Sequence, residues 1–276
     1  MKEHQFLVDS HIHSEFSHDS QCTISEIEQA ALEKGLNLIC ITDHCDLRVG
    51  CDLEEILQQQ RDRVQKIRER RQNPGGLQTL VGIEFGGAFL SPEMAEQVIR
   101  AEEYDVVIGS VHSVMLYGIS RPTAKFDFSS LSQEDLLAYL DSYLDAELCI
   151  AQKLNVDVLA HLAYLFRYVN GKHGLGLDWR VREEKIRRIL TAVIQRGIAY
   201  EINTSSWEGR YEQKAVEKAF VEMYLELGGK DIILGSDSHK SECLGRCFDE
   251  VLAFLRSKGV DHLVYFAGRK KHTYPI

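Results

Sequence analysis

Two histidines separated by a single residue, His11 and His13, follow a short apolar run near the start of the chain. The run, residues 5–8, is typical of a buried strand. Because side chains alternate along an extended chain, both imidazoles lie on the same side and can bind one metal ion. Two imidazoles do not complete the coordination shell of a metal. A metal site therefore requires further ligands elsewhere in the chain.

Further histidines and carboxylates follow the ends of other apolar segments. Each of these segments has the length and composition of a buried strand, and candidate ligands come after six of the seven predicted strands. One histidine at a strand end is more often an ordinary hydrogen-bonded residue, but its repetition along the chain indicates a common role. The candidates in chain order are His11, His13, Asp43, His44, Glu84, His112, His161, Asp237 and His239.

The order of the predicted elements is strand, helix, strand, helix throughout, which predicts a parallel sheet covered by helices. Periodicity alone fits either an open, doubly wound sheet or a closed barrel. Polar residues at the carboxyl ends of many successive strands converge only when the strands form a ring. We therefore expect an α/β fold with a closed or nearly closed barrel of seven strands, formed by residues 1–276 as one domain. The segments 113–132 and 164–178 have no clean period and are predicted to be long loops at the site, and residues 262–266 a short extra strand.

Composition excludes several classes of protein. The 276 residues carry a formal net charge of −10, which argues against broad binding to a nucleic-acid backbone, whereas a small anionic substrate remains compatible because bound cations reverse the local charge. No apolar run is long enough to span a bilayer, and no secretory signal peptide is visible. The seven cysteines are scattered and form no CxxC pair, which favours a reducing, cytoplasmic location.

The polar motifs resemble those of the PHP (polymerase and histidinol phosphatase) family, from the first strand to at least His239. Within the family the chain is most similar to the stand-alone histidinol-phosphate phosphatases, because of residues 109–112, the stretch 201–205 and the ending 266–270. The motifs that carry the resemblance are Asp9-x-His11-x-His13-x-x-x-Ser17-x-Asp19, Ile41-Thr42-Asp43-His44, Glu84, Gly109-Ser110-Val111-His112, His161 and Ser236-Asp237-Ser238-His239.

The resemblance implies a distorted seven-stranded (β/α) TIM-like barrel that binds two to three divalent metal ions. Mixed imidazole and carboxylate ligands suit zinc, iron or manganese. His18 stands beside one implied ligand, Asp19, and is a further candidate. The implied ligand sets are His11, His13, Glu84 and Asp237 for one ion, Glu84, His112 and His161 for a second, and Asp19, His44 and His239 for a third.

The activity implied is hydrolysis of L-histidinol phosphate to L-histidinol and phosphate, a step of histidine biosynthesis, by attack of a metal-bound hydroxide on phosphorus. The bridging Glu84 belongs to the catalytic group, and Asp237 or His239 would pass a proton to the leaving alkoxide. We expect two arginines in the site-face loops, Arg167 and Arg210, to bind the substrate phosphate.

Two supporting carboxylates, Asp9 and Asp43, are expected to orient the histidines through their free ring nitrogens. The implied partner is a small phosphate ester, with no nucleic-acid scaffold and no membrane, and the chain could assemble as a homo-oligomer. Two alternatives remain open. One is a phosphoesterase of the same family that acts on nucleotides or other small phosphate esters, and the other is a non-catalytic, metal-stabilised accessory module.

Overall fold

Seven parallel strands follow one another around a nearly closed barrel in the computed structural model, which describes residues 6–70, 75–208 and 214–276. The barrel order is β1-β2-β4-β5-β8-β9-β10, and β3 continues the line of β2 beside β4. The strands are β1 (Val8–Ile12), β2 (Leu38–Ile41), β3 (His44–Asp46), β4 (Gln78–Gly86), β5 (Val106–Ser110), β6 (Ser113–Leu116), β7 (Ile119–Pro122), β8 (Val158–Leu159), β9 (Ala199–Asn203), β10 (Ile232–Gly235), β11 (His262–Ala267) and β12 (Lys270–Pro275).

The first and last strands of the barrel meet at their carboxyl ends. The Asp237 amide donates to the His11 carbonyl at 2.8 Å, and the His13 amide donates to the Ser238 carbonyl at the same distance. These bonds bring the first and last candidate ligands of the chain together, although they lie more than 220 residues apart in the sequence. The predicted seven-stranded, nearly closed α/β barrel is thus confirmed.

Helices cover the outside of the barrel. The first begins with the capping box that its sequence predicts: the Thr23 hydroxyl accepts from the Glu26 amide, and the Glu26 carboxylate accepts from the Thr23 amide. Among the described residues, none of the helices is both long and apolar enough to cross a membrane. The helices are α1 (Ile24–Glu33), α2 (Leu53–Arg68), α3 (Pro92–Ala101), α4 (Gln133–Lys153), α5 (Tyr164–Phe166), α6 (Glu183–Gln195), α7 (Lys214–Glu226) and α8 (Phe248–Ser257).

The two segments predicted as long loops are partly ordered. The first folds into the hairpin β6–β7, whose turn residues Tyr117 and Gly118 have φ angles of 50° and 76°. Two consecutive positive φ angles are typical of a tight hairpin turn. Its four-residue strands pair only with each other, so they carry too little pattern to be recognised in the sequence. The second segment continues α5 through a π-helical turn, Arg167–Lys172. The predicted strand near residue 262 is confirmed as β11, which pairs with β12.

Candidate functional site

Glu84 lies at the centre of the ring of histidines, near the carboxyl end of β4, and is fully buried. Its Oε1 atom is 2.8 Å from His161 Nε2 and 2.9 Å from His112 Nε2. These three residues form one group whose ligand atoms all lie within 4.8 Å of one another. The group coincides with the second ligand set that the sequence predicts.

The other oxygen of Glu84 faces the remaining imidazoles. Oε2 is 2.8 Å from His44 Nδ1, 3.3 Å from His11 Nε2 and 3.4 Å from His13 Nε2. None of these close approaches has hydrogen-bond geometry, so this buried oxygen has no hydrogen-bond partner in the described part of the chain. An unpartnered buried carboxylate oxygen costs free energy unless a cation or a donor compensates it. A metal ion between Oε2 and the imidazole nitrogens would provide that compensation.

Asp237 completes the first predicted set. Its Oδ1 atom is 3.2 Å from His13 Nε2 and 3.8 Å from His11 Nε2, and the two imidazole nitrogens are 3.0 Å apart. Asp237 has a φ angle of 50° and His161 a φ angle of 21°, values that L-residues adopt rarely. Strained backbone of this kind is commonly found at functional sites. Asp237, His11 and His13 therefore form a second compact group of candidate ligands.

The third predicted set lies at the rim of the barrel. Asp19 Oδ1 is 3.2 Å from His239 Nε2 and 3.5 Å from His44 Nε2, and the two histidines are 3.4 Å apart. Asp19 is 45% exposed at its side chain, so this group is more open to solvent than the other two. His18 is 3.9 Å from Asp19 and could join the group, although its side chain is 55% exposed.

The ring keeps Glu84 and His13 in the protonation states that metals need, whereas nearby carboxylates outweigh burial and raise the pKa values of His11, His44 and His112. Burial would raise the pKa of Glu84, but His112, His44 and His11 together hold it well below its usual value. Burial, with His44 and His239 nearby, lowers the pKa of His13 well below its usual value. Glu84 is therefore a carboxylate and His13 a neutral imidazole at neutral pH. The clusters as a whole can bind several divalent metal ions.

The supporting carboxylates differ in part from the prediction. Asp9 accepts hydrogen bonds from the Ser236 and Gly245 amides and contacts no histidine ring nitrogen among the described residues, so its predicted role was wrong: it holds the loop after β10. Asp43 does support His13, but indirectly. The Ser17 hydroxyl donates a hydrogen bond to Asp43 Oδ1 at 2.8 Å. The same hydroxyl oxygen of Ser17 lies 3.0 Å from His13 Nδ1.

Two residues that sequence reasoning missed contact candidate ligand histidines directly. Glu201 Oε1 lies 2.5 Å from His11 Nδ1, and Asp46 Oδ1 lies 3.2 Å from His112 Nδ1. Asp46 follows His44 by two residues in β3, and this spacing could have indicated that both side chains face the site. Glu201 lies in the middle of β9, all of whose residues are buried, and a buried acid indicates a buried partner.

Gly86→Ala should lower the metal affinity of the group formed by Glu84, His112 and His161, because the new side chain would displace Asp46. A Cβ at Gly86 would overlap Asp46 Oδ1 and would lie 3.1 Å from His112 Nδ1. Loss of such a supporting contact typically lowers metal affinity about 10- to 100-fold. A zinc titration of wild type and variant measures the effect. Equal affinities for every bound ion would show that Asp46 does not position His112.

Arg167 lies in the same cleft as the metal groups. Its Nη2 donates to the Ser205 hydroxyl, its Nη1 is 4.0 Å from Asp237 Oδ2, and its guanidinium lies 5.5 Å from the centre of the Tyr164 ring. The cleft has a volume of about 550 Å³, and the hairpin β6–β7 forms part of its wall. The other predicted phosphate-binding residue, Arg210, lies outside the described residues.

The chain is similar to known proteins of one family. Residues 9–205 match the model of the PHP domain family. The chain is 29% identical over 249 residues to the probable histidinol-phosphatase of Clostridium acetobutylicum, with 89% of this chain and 91% of that protein covered. It is 26% identical over 265 residues to the histidinol-phosphatase of Lactococcus lactis, with 95% of each covered. The crystal structure of the L. lactis histidinol phosphate phosphatase, complexed with zinc, L-histidinol and phosphate, matches with a TM-score of 0.72 at 25% identity, over 96% of this chain and 98% of that one.

Proposed function

The chain belongs to the PHP domain family, and from this premise we propose that it is a metal-dependent phosphomonoesterase that hydrolyses L-histidinol phosphate to L-histidinol and inorganic phosphate. The observation that carries the proposal is the ring of imidazoles and carboxylates around Glu84, which shares one cleft with Arg167. The similarity to histidinol-phosphatases over nearly the full length of the chain supports the choice of substrate.

We propose that the three groups of side chains hold up to three divalent ions, with Glu84 shared between two of them. Bound divalent ions act as Lewis acids that lower the pKa of water and neutralise charge on phosphate oxygens. The side chains of this protein would determine where those divalent ions are held. The proposed sets are His11, His13, Glu84 and Asp237; Glu84, His112 and His161; and Asp19, His44 and His239.

Arg167 would bind the substrate phosphate, because a guanidinium matches the geometry of phosphate oxygens. Its contacts with Ser205 and Tyr164 hold it in the cleft. We propose that Asp237 or His239, which both line the cleft, passes a proton to the leaving alkoxide. The Asn203 side-chain amide donates to Asp237 Oδ2 at 3.0 Å, which fixes the orientation of that carboxylate.

Arg167→Lys should lower kcat/KM for histidinol phosphate about 10- to 100-fold and leave the bound metal content unchanged. Lysine keeps the charge but loses the paired donors, and a hydrogen bond to a charged group contributes about 1.5–3 kcal/mol. Steady-state kinetics with metal analysis of the same samples measures both quantities. Arg180→Lys, at an exposed arginine paired with Asp178, is the matched control. Unchanged kinetics in Arg167→Lys would exclude phosphate binding by Arg167.

The reaction itself can be tested with isotopic water. Metal-loaded protein is incubated with histidinol phosphate in ¹⁸O-labelled water, and the products are examined by mass spectrometry and ³¹P NMR. The proposal predicts one ¹⁸O atom in the released phosphate and none in histidinol, because water attacks phosphorus. Label in histidinol, or absence of phosphate release, would contradict it.

We further propose that residues 1–276 act as one catalytic domain in the cytoplasm. The seven cysteines are scattered along the sequence and form no CxxC pair, a pattern typical of proteins of reducing compartments. Cell fractionation with an antibody to the protein tests the location.

A further inference from the structure

Strand β9 supplies none of the proposed metal ligands, yet it carries two buried polar side chains at the level of the site. Glu201 and Asn203 are separated by one residue and are both fully buried. Because side chains alternate along a strand, they lie on the same face of β9. Asn203 donates to Asp237, as described above. The role of Glu201 is not explained by binding of substrate, since its side chain has no exposure to the cleft.

The two carboxylate oxygens of Glu201 contact two different ligand histidines. Oε1 lies 2.5 Å from His11 Nδ1, and Oε2 accepts a hydrogen bond from the His161 backbone amide at 2.8 Å. His11 belongs to the first proposed metal set and His161 to the second. The single buried carboxylate of Glu201 therefore contacts one residue of each of the two proposed sets.

Each contact fixes one feature that metal binding needs. A carboxylate at Nδ1 holds the proton of His11 on that nitrogen, so the lone pair of Nε2 points towards Glu84 and the metal position. The bond to the His161 amide holds a residue whose φ angle is 21°, a conformation that L-residues rarely adopt. Without it, the His161 backbone can relax and withdraw its imidazole from Glu84.

The neighbouring strand leaves room for this carboxylate. A Cβ at Gly235 in β10 would overlap Glu201 Oε1 and would lie 2.6 Å from His11 Cβ. The close contact between Glu201 and His11 thus requires a glycine at this position on the adjacent strand.

We propose that Glu201 is a positioning residue that couples the first two metal sets, so that correct geometry in one favours binding in the other. The proposal rests on the proposed function for the identity of the metal sets. Glu201 acts through His11 and His161 and touches neither substrate nor metal.

The test is Glu201→Gln, because a carboxamide cannot reproduce both contacts. Glu201 accepts at both oxygens, whereas glutamine has one acceptor and one NH₂ group. The NH₂ group must therefore face a donor at either His11 or His161. We expect zinc affinity at the first two sets to fall about 10- to 100-fold, the range found for partners of metal ligands. Isothermal titration with zinc measures affinity, and the visible spectrum of the cobalt-substituted protein reports the ligand geometry.

Glu217→Gln is the matched control. Glu217 lies in α7 and is as buried as Glu201. It accepts a hydrogen bond at 3.0 Å from the hydroxyl of Tyr200 in β9, but it contacts no proposed ligand. Burial raises its pKa to about 8, so the side chain is mostly protonated at neutral pH and a carboxamide replaces it closely. We expect this variant to bind zinc like wild type.

Two outcomes decide the proposal. Weaker zinc binding and an altered cobalt spectrum in Glu201→Gln would support it. Wild-type zinc affinity, with or without a lower melting temperature, would overturn it. If Glu201→Gln does not fold, Glu201→Asp keeps the charge but shortens the side chain, and the same two outcomes apply to it. The titrations use no substrate, so absence of phosphatase activity in wild type would count against the proposed function alone.

Discussion

Glu84→Gln should lower kcat/KM for histidinol phosphate by more than about 100-fold, since even the supporting partners of metal ligands change activity by about 10- to 100-fold. Glu84 presents its two oxygens to five imidazoles, at distances between 2.8 and 3.4 Å. A glutamine keeps the shape of the side chain but removes the negative charge that the first two metal sets share. We therefore expect both lower activity and fewer bound ions.

Steady-state kinetics and metal analysis on the same preparation measure the effect of Glu84→Gln. Glu147→Gln is the control, because Glu147 is also fully buried and belongs to α4 outside the ring of ligands. Burial raises the pKa of Glu147 to about 8, so it is mostly neutral at pH 7 and its replacement by an amide should be mild. A Glu84→Gln protein with normal folding, normal metal content and normal kcat/KM would contradict the shared-ligand role.

Removal of metal is the second large effect that we expect. Dialysis against a chelator should reduce phosphatase activity to background and lower the melting temperature. Bound ions would offset the charge of buried carboxylates such as Glu84 and Asp237, and a ligand at 100 times its Kd stabilises the folded state by about 2.7 kcal/mol. Differential scanning calorimetry and activity assays follow the loss.

Readdition of zinc, manganese or iron should restore both properties in the chelated protein, and the most effective metal identifies the one that the site prefers. The number of ions that rebind should be two to three per chain. Activity that survives complete removal of metal would contradict metal-dependent catalysis. Recovery of stability without recovery of activity would instead favour a metal-stabilised module without turnover.

The barrel and the ring of ligands could be predicted because their signals are local. Most candidate ligands lie at or just after the carboxyl end of an apolar strand, and the repetition of that placement indicates a ring of strands. His11 and Asp237 lie far apart in sequence, yet each was recognisable from its own neighbours along the chain. The structure brings the predicted side chains together within a few ångströms.

The contacts of Glu201 and Asp9 could not be predicted because they depend on register between distant strands. Glu201 reaches His11 across 190 residues of sequence. Asp9 stands two residues before His11 and seemed suited to orient it, but its carboxylate binds the Ser236 and Gly245 amides instead. In each case the partner is decided by how β1, β9 and β10 are aligned in the barrel, which the sequence of one strand does not specify.

The residues that form the wall of the cleft could not be predicted from the sequence either. The hairpin β6–β7 contributes Ser113 and Ser120 to the cleft, and Lys125 follows in a short helical turn. These residues belong to a segment without a clean period, and their approach to the metal groups follows from the hairpin turn at Tyr117 and Gly118. Selectivity for the alcohol part of the substrate is expected to reside in this wall.

The most direct test of the central claim is the kcat/KM of metal-loaded protein for histidinol phosphate, compared with nucleoside monophosphates and sugar phosphates under the same conditions. A histidinol-phosphate phosphatase should prefer its own substrate by at least about 10-fold, the order of discrimination that pocket contacts provide. Equal or greater activity towards nucleotides or sugar phosphates would retain the metal centre but contradict the assignment of histidinol phosphate as the substrate.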